Sequence, residues 1–312
     1  MRQADLPYER FVAALDAFPD LRHVELQGEG ESLMHPRFLD MVELARSRGV
    51  KVSFITNGSF FTPESISRLL DAGIEKLSVS LESPEAAEFQ RIRGGKLDKV
   101  LRGIEALLTA RGARGLSRPV VGMSVTVLSS TKEQLPAIIA LYRKLGLDGG
   151  ITMQPLQRMP VYTQSYRPEI AREELSDDEV EQVWIRFRAN RELRQIERER
   201  GRSGVTGFFD ELMAGWAPTQ RRCPWLERGL FINHEGHATA CCMAKETASG
   251  FGRLGETPPE KILAARADMR AQLARGETPT ACRGCDLAHY ATMSKPALML
   301  VGIKGLAHRF FG

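Results

Sequence analysis

Cysteine is the residue type in this chain best suited to chemistry, and all five cysteines lie in the last third of the sequence. Cys223 is followed by the adjacent pair Cys241 and Cys242, and Cys282 and Cys285 form a CxxC motif. A thiolate is a strong, soft ligand, and two thiolates across a CxxC turn bind one metal centre with little strain. The grouping therefore predicts a metal site with cysteine ligands.

Zinc binding and disulfide formation are the two simpler explanations for these cysteines. Disulfides need an oxidising compartment, and the first residues, MRQADLPYERF, lack the apolar run of a secretory signal peptide. We therefore expect reduced thiols in the cytoplasm. Four-thiolate sites hold either zinc or an iron–sulfur cluster, so the spacing alone leaves both open.

The composition is that of an ordinary globular protein, with 43% hydrophobic and 26% charged residues in a chain of 312. The formal net charge of +4 is small for this length and does not favour nucleic acid as a partner. The longest apolar stretch, at 297–303, is far too short to cross a bilayer. We therefore predict a cytoplasmic protein without a nucleic-acid partner or a transmembrane segment.

The first 160 residues alternate predicted strands and helices. The strands are predicted at 23–31, 51–58, 76–83, 120–129 and 149–156, and the helices at 6–18, 36–49, 62–73, 96–111 and 132–146. This alternation indicates a parallel sheet with right-handed crossovers. Apolar strand bodies with polar carboxyl ends predict an α/β fold, the arc of a TIM-like barrel with its site at the strand ends. A doubly wound open sheet fits the same periodicity.

Beyond residue 157 the alternation stops. A Ser-Asp-Asp cap begins one long charged helix predicted at 176–202, with a solvated face, and a short helix is predicted at 207–220. The predicted division is a barrel core at 1–160, a helical linker region at 161–220, a cysteine-rich domain at 221–290 and a tail at 291–312 that docks on the barrel.

Several motifs follow one another along the chain: LQGEGESLMHPRF at 26–38, ITNG at 55–58, VSLES at 79–83 and FQRIRGGKLDKVLRGIEAL at 89–107. The last third adds CPW, an N-x-x-G before CC, FGRLGE and CRGC. The ordered set resembles radical S-adenosylmethionine (SAM) enzymes with a C-terminal SPASM- or twitch-type auxiliary cluster domain. Ser32 stands where this family usually has proline. The resemblance implies a partial (β/α) barrel lacking its first strand, followed by a small cysteine-rich domain.

The same resemblance implies which residues face SAM. Gly28 and Gly30 would let SAM approach the backbone because glycine has no Cβ, and Glu31 falls at the position that binds the amino group of its methionine moiety. Five further residues are implied to line the cofactor: Thr56, Asn57, Ser80, Glu82 and Gln154. Glu82 either accepts a hydrogen bond from the ribose or is an exposed residue. No residue is assigned a catalytic role.

For the cysteine-rich domain, the resemblance implies that Cys223, Cys241, Cys282 and Cys285 hold one auxiliary 4Fe–4S cluster. Cys242 is either a substitute ligand or a buried neighbour. The auxiliary cluster would position the substrate or take an electron from a radical intermediate.

Radical SAM chemistry needs a second 4Fe–4S cluster, held by a CxxxCxxC motif that this sequence does not contain. Either the 312 residues are an N-terminal truncation of a normal enzyme, or they are a degenerate relative that keeps a cluster but cannot cleave SAM. The motifs are otherwise largely intact, so we expect a truncation, which does not cleave SAM by itself. SAM and the second cluster are expected only in a full-length form.

The full-length form would be an oxidoreductase or maturase that abstracts hydrogen from a peptide, protein or small metabolite, with a reducing partner such as flavodoxin or ferredoxin. Two alternatives remain open. One is a non-catalytic 4Fe–4S binding or electron-transfer protein, and the other is a zinc-stabilised interaction protein.

Overall fold

The N-terminal unit is a parallel sheet curled into half a barrel, seen in a computed structural model that describes residues 4–199, 223–244 and 250–285. Its strands are β1 (His23–Leu26), β2 (Lys51–Thr56), β3 (Lys76–Ser80), β4 (Val120–Val127) and β5 (Ile151–Pro155). Neighbouring strands pair in sequential order, from β1 to β5. This order confirms the predicted barrel arc and excludes the doubly wound alternative, because a doubly wound sheet reverses its strand order.

Helices precede and connect the strands. They are α1 (Tyr8–Ala17), α2 (Phe38–Ser47), α3 (Pro63–Asp71), α4 (Ala86–Arg93), α5 (Leu97–Ala113) and α6 (Leu135–Lys144). The predicted cap Thr62 is confirmed, since its hydroxyl accepts a hydrogen bond from the backbone nitrogen of Ser65 at 3.2 Å. The separate helix α4 was not predicted, and it ends at Gly94 because the positive φ of +73° there is a conformation that glycine adopts without strain.

The two faces of the sheet differ in polarity because side chains alternate along each strand. The outer face is buried under the helices by apolar residues that include Val52, Phe54, Leu77, Val79, Val121 and Met123. Phe54 packs edge to face on Phe38 of α2, with ring centroids 5.0 Å apart. The strand register places eleven polar residues on the opposite side, here called the polar face: His23, Glu25, Lys51, Ser53, Lys76, Ser78, Ser80, Ser124, Thr126, Thr152 and Gln154. The polar face is chemically suited to a polar ligand.

The segment after β5 folds back onto the barrel core. It contains α7 (Pro160–Thr163), α8 (Pro168–Ala171), α9 (Asp177–Ala189) and α10 (Arg191–Glu199). The prediction of one continuous helix at 176–202 is wrong, because the chain breaks at Asn190, whose side chain accepts from the backbone nitrogen of Leu193 at 2.9 Å. The apolar side chains Val183 and Ile196 are buried in the same core as the sheet. The predicted helix at 207–220 lies outside the described residues.

A second, smaller unit is formed by the described residues between 223 and 285, and is called the C-terminal unit below. It contains α11 (Pro224–Arg228), α12 (Pro259–Arg275) and an antiparallel sheet of β6 (Phe231–Ile232), β7 (His237–Thr239) and β8 (Gly252–Arg253). Leu226, Ala238, Phe251, Ile262 and Leu273 form a core of its own. The predicted tail at 291–312 lies outside the described residues. Among the helices that the structure describes, none has both the length and the apolarity needed to cross a bilayer.

Gly149 allows the chain to pass directly against β4 before it enters β5. A Cβ at this position would lie 2.3 Å from the backbone nitrogen of Gly122 and 2.4 Å from the carbonyl carbon of Val121. These neighbours are backbone atoms, which cannot rotate away as a side chain can. We therefore expect Gly149→Ala to lower the free energy of unfolding by roughly 1–3 kcal/mol, measured by urea denaturation.

Gly112 in α5 provides the matched control for this substitution. Nothing lies within 4 Å of a Cβ added there, so the alanine adds no clash. Gly112→Ala should raise the free energy of unfolding by about 0.5–1 kcal/mol, because alanine loses less conformational entropy in a helix. Equal stability of the two variants would contradict the close approach of Gly149 to the backbone of β4.

Candidate functional site

Four of the five thiols line one pocket in the C-terminal unit, called the thiol pocket below: Cys223, Cys241, Cys282 and Cys285. The remaining lining is apolar and consists of Met159, Trp225, Leu226, Ala240, Met243 and Ala281. A cluster of soft sulfur donors in an apolar surround is typical of a metal centre. The structure thus brings together the four cysteines that the sequence predicted as ligands.

Each of these cysteines is held by a short, well-defined element. Cys223 is the N-cap of α11, and Cys282 is the last residue of a 3-10 turn. Beyond that turn, the backbone nitrogen of Cys285 donates to the carbonyl of Cys282 at 3.1 Å. Cys241 follows β7, which returns from β6 through a hairpin turn at Gly236, where φ is +86°. Only glycine adopts this conformation readily, so Gly236 directs Cys241 back toward Cys223.

The thiols of the pocket resist ionisation unless positive charge is supplied. Burial raises the pKa of Cys223, and it raises the pKa of Cys282 to about 12. Burial also raises the pKa of Cys241 well above its usual value, and the neighbouring thiols Cys242, Cys223 and Cys285 raise it further. A metal centre must bind thiolates, so its own charge would have to offset both effects.

The arrangement of the thiols bears on the kind of metal centre. Among the described residues, no three His, Cys, Asp or Glu side chains are placed to hold a single metal ion. Zinc requires its sulfur ligands to converge at about 2.3 Å on one point. An iron–sulfur cluster contains several irons, so its cysteines need not converge. The donor set of four thiols is one that both zinc and an iron–sulfur cluster accept.

Cys242 lies outside the lining of the thiol pocket. Burial, followed by the charge of Glu25, raises the pKa of its thiol to about 12. The hydroxyl of Tyr162 donates to the backbone carbonyl of Cys242 at 2.9 Å. Of the two predicted roles of Cys242, this placement favours a buried neighbour over a substitute ligand.

Glu31 joins the carboxyl ends of β1 and β2. Its Oε1 accepts from the Thr56 hydroxyl at 2.7 Å and from the backbone nitrogen of Leu33 at 3.2 Å, and its Oε2 accepts from the backbone nitrogen of Asn57 at 2.6 Å. The buried Thr56 hydroxyl also accepts from the backbone nitrogen of Gly58 at 3.0 Å. Thr56 and Asn57 are thus placed to position Glu31, which is a less direct role than contact with SAM.

Ser32, at the position where the family motif usually has proline, strengthens the same junction. Its hydroxyl lies 3.2 Å from the carbonyl oxygens of both Leu26 and Ile55. These carbonyls belong to the ends of β1 and β2. The departure from the motif therefore replaces a rigid ring with a hydrogen-bonded link between the two strand ends.

Gly28 and Gly30 follow β1 and are both exposed. A Cβ added at either position would meet nothing within 4 Å, and neither glycine has a positive φ. Neither packing against the described residues nor backbone conformation explains these glycines. The close approach of a ligand to the backbone would explain them.

Glu82 and Arg93 form an ion pair at the end of β3. The Glu82 side chain is only 1% exposed, so the alternative that it is an exposed residue is wrong. Arg93 Nε donates to Glu82 at 2.5 Å, and a terminal nitrogen donates to the other carboxylate oxygen. Burial acts to lower the pKa of Arg93, but its bond to Glu82 and the charges of Glu82 and Glu31 raise it overall. Both oxygens of Glu82 are therefore occupied within the protein.

Ser80 and Gln154 lie on the polar face. Ser80 pairs in register with Ser124, and Gln154 pairs with Thr126. Neither side chain makes a hydrogen bond with any residue that the structure describes. Both remain predicted cofactor-binding residues, and their side chains are available to a ligand.

Sequence reasoning did not find Tyr162, whose hydroxyl connects the segment after β5 to the C-terminal unit by donating to the carbonyl of Cys242. No local pattern indicates that Tyr162 contacts the backbone of Cys242, since the two residues are far apart in sequence.

Comparison with known proteins agrees with this architecture. The family model for the radical SAM superfamily matches residues 2–142. The model for SPASM, an iron–sulfur cluster-binding domain, matches residues 223–286. The second match contains the four cysteines of the thiol pocket.

Curated relatives match parts of the chain. It is 30% identical over 162 residues to the tungsten-containing aldehyde ferredoxin oxidoreductase cofactor-modifying protein of Pyrococcus furiosus, covering 51% of this chain and 46% of the relative. It is 35% identical over 83 residues to the AdoMet-dependent heme synthase of Methanosarcina barkeri, covering 26% of this chain and 24% of the relative. The matches thus span less than half the length of these relatives.

Solved structures share the fold at low sequence identity. SuiB of Streptococcus suis bound to S-adenosylmethionine has a TM-score of 0.60 at 12% identity, covering 92% of this chain and 65% of SuiB. The protein anSMEcpe with bound AdoMet has a TM-score of 0.57 at 12% identity, covering 97% of this chain and 89% of that one.

The family matches, the curled parallel sheet and the thiol pocket together define the class of protein. Residues 2–142 form a radical SAM superfamily domain, and residues 223–286 form a C-terminal SPASM iron–sulfur domain. These two domains imply an iron–sulfur cluster and SAM as cofactors.

Proposed function

We propose that the whole protein is a SAM-dependent radical enzyme, an oxidoreductase or maturase that removes hydrogen from a peptide, protein or small metabolite. The observation that supports this most is the position of the thiol pocket. Met159, which follows the end of β5 at Pro155, lines the pocket, so the pocket lies beside the strand ends where parallel barrels bind their ligands. A substrate bound between the strand ends and the thiol pocket would lie close to both.

The residues of the thiol pocket and those at the strand ends would have different roles. The thiol pocket would hold an auxiliary 4Fe–4S cluster, which when bound supplies a site for electron transfer or for orienting substrate. Gly28 and Gly30 leave the backbone open to SAM, and Glu31 fixes the adjoining ends of β1 and β2. Ser80 and Gln154 present polar groups on the side of the sheet that faces the ligand.

The names of the relatives support either a peptide or a small molecule as the substrate. SuiB has been crystallised with a precursor peptide, SuiA, whereas the heme synthase and the cofactor-modifying protein are named for smaller molecules. We propose that this protein, like those, acts on one peptide or small-molecule substrate and takes electrons from a donor such as flavodoxin or ferredoxin. A reducing cytoplasm would preserve the thiols of the pocket.

The proposal is tested on the protein as it occurs in its native cell, purified without oxygen. With SAM and a reductant it should convert SAM to 5′-deoxyadenosine, detected by liquid chromatography with mass spectrometry. The matched control omits the reductant and should give no product. A protein that contains zinc without iron or sulfide, and that leaves SAM unchanged, would rule out the proposed function.

Glu31→Gln should weaken SAM binding because the amide replaces one acceptor oxygen with a donor. That donor would face the Asn57 nitrogen or the Thr56 hydroxyl, both of which now donate to Glu31. We expect the Kd for SAM to rise about tenfold, equivalent to about 1.4 kcal/mol, in equilibrium dialysis of the cluster-loaded protein. Thr56→Ser keeps the hydroxyl and should bind SAM normally. Unchanged SAM binding by Glu31→Gln would show that Glu31 only stabilises the fold.

A further inference from the structure

Met159 lies where the chain leaves the barrel, shortly after the end of β5 at Pro155. Its side chain is only 4% exposed, and it belongs to the core of the C-terminal unit. Met153 on β5, by contrast, is buried in the core of the barrel. The two methionines are close in sequence but pack in different cores. The segment after β5 therefore crosses from one unit to the other within a few residues.

Two contacts hold this segment against the parts of the C-terminal unit that carry cysteines. Gly284 lies inside the CxxC motif, and a Cβ added there would be 3.4 Å from the carbonyl oxygen of Arg158 and 3.5 Å from the Cα of Met159. The hydroxyl of Tyr162 donates to the backbone carbonyl of Cys242 at 2.9 Å. Backbone packing on one side and a hydrogen bond on the other thus fix the position of Met159.

Met159 is also part of the wall of the thiol pocket. Of the described residues that line this pocket, Met159 alone comes from outside the C-terminal unit. Its thioether carries no charge and no hydrogen-bond donor. Reduction adds a negative charge to a cluster that is held by thiolates, and an apolar wall that excludes water solvates that charge poorly. An apolar shell around a cluster therefore lowers its reduction potential.

We propose that Met159 completes the site of the auxiliary cluster and holds the reduction potential of that cluster low, by keeping water and hydrogen-bond donors away from it. The four thiols of the pocket supply the ligands, and Met159 acts only on their surroundings. The barrel segment, and not the C-terminal unit alone, then sets how readily the cluster accepts an electron. This inference rests on the auxiliary cluster of the proposed function, but not on the radical reaction.

Met159→Gln tests this role because glutamine keeps the length of the side chain and adds a hydrogen-bond donor next to the cluster sulfurs. The cluster-loaded chain is titrated without oxygen by titanium(III) citrate with mediator dyes, and the reduced cluster is measured by electron paramagnetic resonance. Each reduction moves one electron from titanium(III), which becomes titanium(IV), and breaks no bond. At a fixed potential the ratio of reduced to oxidised cluster should rise about tenfold, equivalent to about 59 mV.

Two control variants separate the potential from the fold. Met159→Leu keeps an apolar side chain of similar volume, so the ratio should stay within about twofold of wild type. Met269→Gln makes the same chemical change on α12, where Met269 packs against the core of the C-terminal unit but does not line the thiol pocket. It should leave the ratio unchanged. A general effect of a polar substitution on this unit would appear in both glutamine variants.

Met159→Ala is a second test that introduces no polar group. It shortens the side chain and opens the wall to water, so the ratio should rise at least about threefold. Iron and sulfide analysis shows whether each variant holds its cluster. An unchanged ratio in both Met159→Gln and Met159→Ala would overturn the inference, as would an equal rise in Met269→Gln. Loss of the cluster from both Met159 variants, or a wild-type chain that assembles none, would overturn it as well.

The titration uses neither SAM nor substrate. A cluster whose potential does not depend on Met159 would refute this inference and leave the proposed radical function intact. A protein that shows the expected shift in potential but leaves SAM unchanged in its native form would refute the radical function alone. The two failures are therefore distinguishable.

Discussion

Replacing Cys282 by serine is expected to abolish assembly of the iron–sulfur cluster, whereas replacing Cys242 by serine is expected to leave it intact. Cys282 is buried in the thiol pocket with Cys223, Cys241 and Cys285, and Cys242 lies outside that lining. A serine hydroxyl is a harder and far less acidic ligand than a thiol, so it does not replace a thiolate on iron. Because the two cysteines belong to the same small unit, Cys242→Ser is a closely matched control.

The measurement is anaerobic reconstitution with iron and sulfide, followed by analysis of both elements and of absorbance near roughly 400 nm. Wild type and Cys242→Ser should bind about four irons and four sulfides per chain, and Cys282→Ser less than about one. Loss of the cluster in Cys242→Ser but not in Cys282→Ser would make Cys242 the ligand. Wild-type protein that takes up one zinc and no sulfide would contradict an iron–sulfur site altogether.

The sequence predicted the elements of the barrel because they depend on local pattern. Apolar runs of strand length alternate with helical periodicity, and the Thr62 cap lies next to the helix it begins. The boundaries were less accurate at the strand ends, where β3 stops at Ser80 although its apolar pattern continues to Leu81. The carboxyl ends leave the sheet to form the site, and the loop chemistry there does not follow the strand pattern.

The candidate site was predictable in its residue types but not in its contacts. The cysteines stood out by composition and Glu31 by its motif. The partners of Glu31, by contrast, come from the next strand, and the hydrogen bond from Tyr162 to the carbonyl of Cys242 joins residues far apart in sequence. Such contacts depend on how separate segments pack together, and no periodicity within one segment specifies that packing.

The same distinction applies to Arg93, because the sequence alone does not separate a helix-surface arginine from one in a buried ion pair. Arg93 is one of two arginines on α4, and the other, Arg91, does lie on the surface, paired with Glu88 at 2.6 Å. Arg93 lies at the last turn of α4, and the glycines after it end the helix beside the buried Glu82. Its role is set by the position of β3, which helix periodicity does not contain.

Arg93→Leu is therefore expected to lower the free energy of unfolding by about 3 kcal/mol, because it leaves the Glu82 carboxylate buried without a partner. Glu82 is 1% exposed and Arg93 35% exposed, so the protein shields the acid far more than the base. The loss is measured by urea denaturation. Adding Glu82→Gln to Arg93→Leu should recover part of the stability, since it removes the uncompensated charge.

Arg102→Leu is the matched control for Arg93→Leu, since it deletes an arginine from the neighbouring helix α5. Arg102 pairs with Asp98 at 2.8 Å, but both side chains are well exposed, at 69% and 61%. Water and salt screen such a pair, so its loss should leave the denaturation midpoint within experimental error. Equal destabilisation by the two substitutions would mean that the apolar stem of each arginine, and not the buried charge of Glu82, determines the effect. A full loss for Arg93→Leu with recovery in the double variant would instead establish Glu82 as a charge that the fold tolerates only while Arg93 pairs with it, at the end of β3.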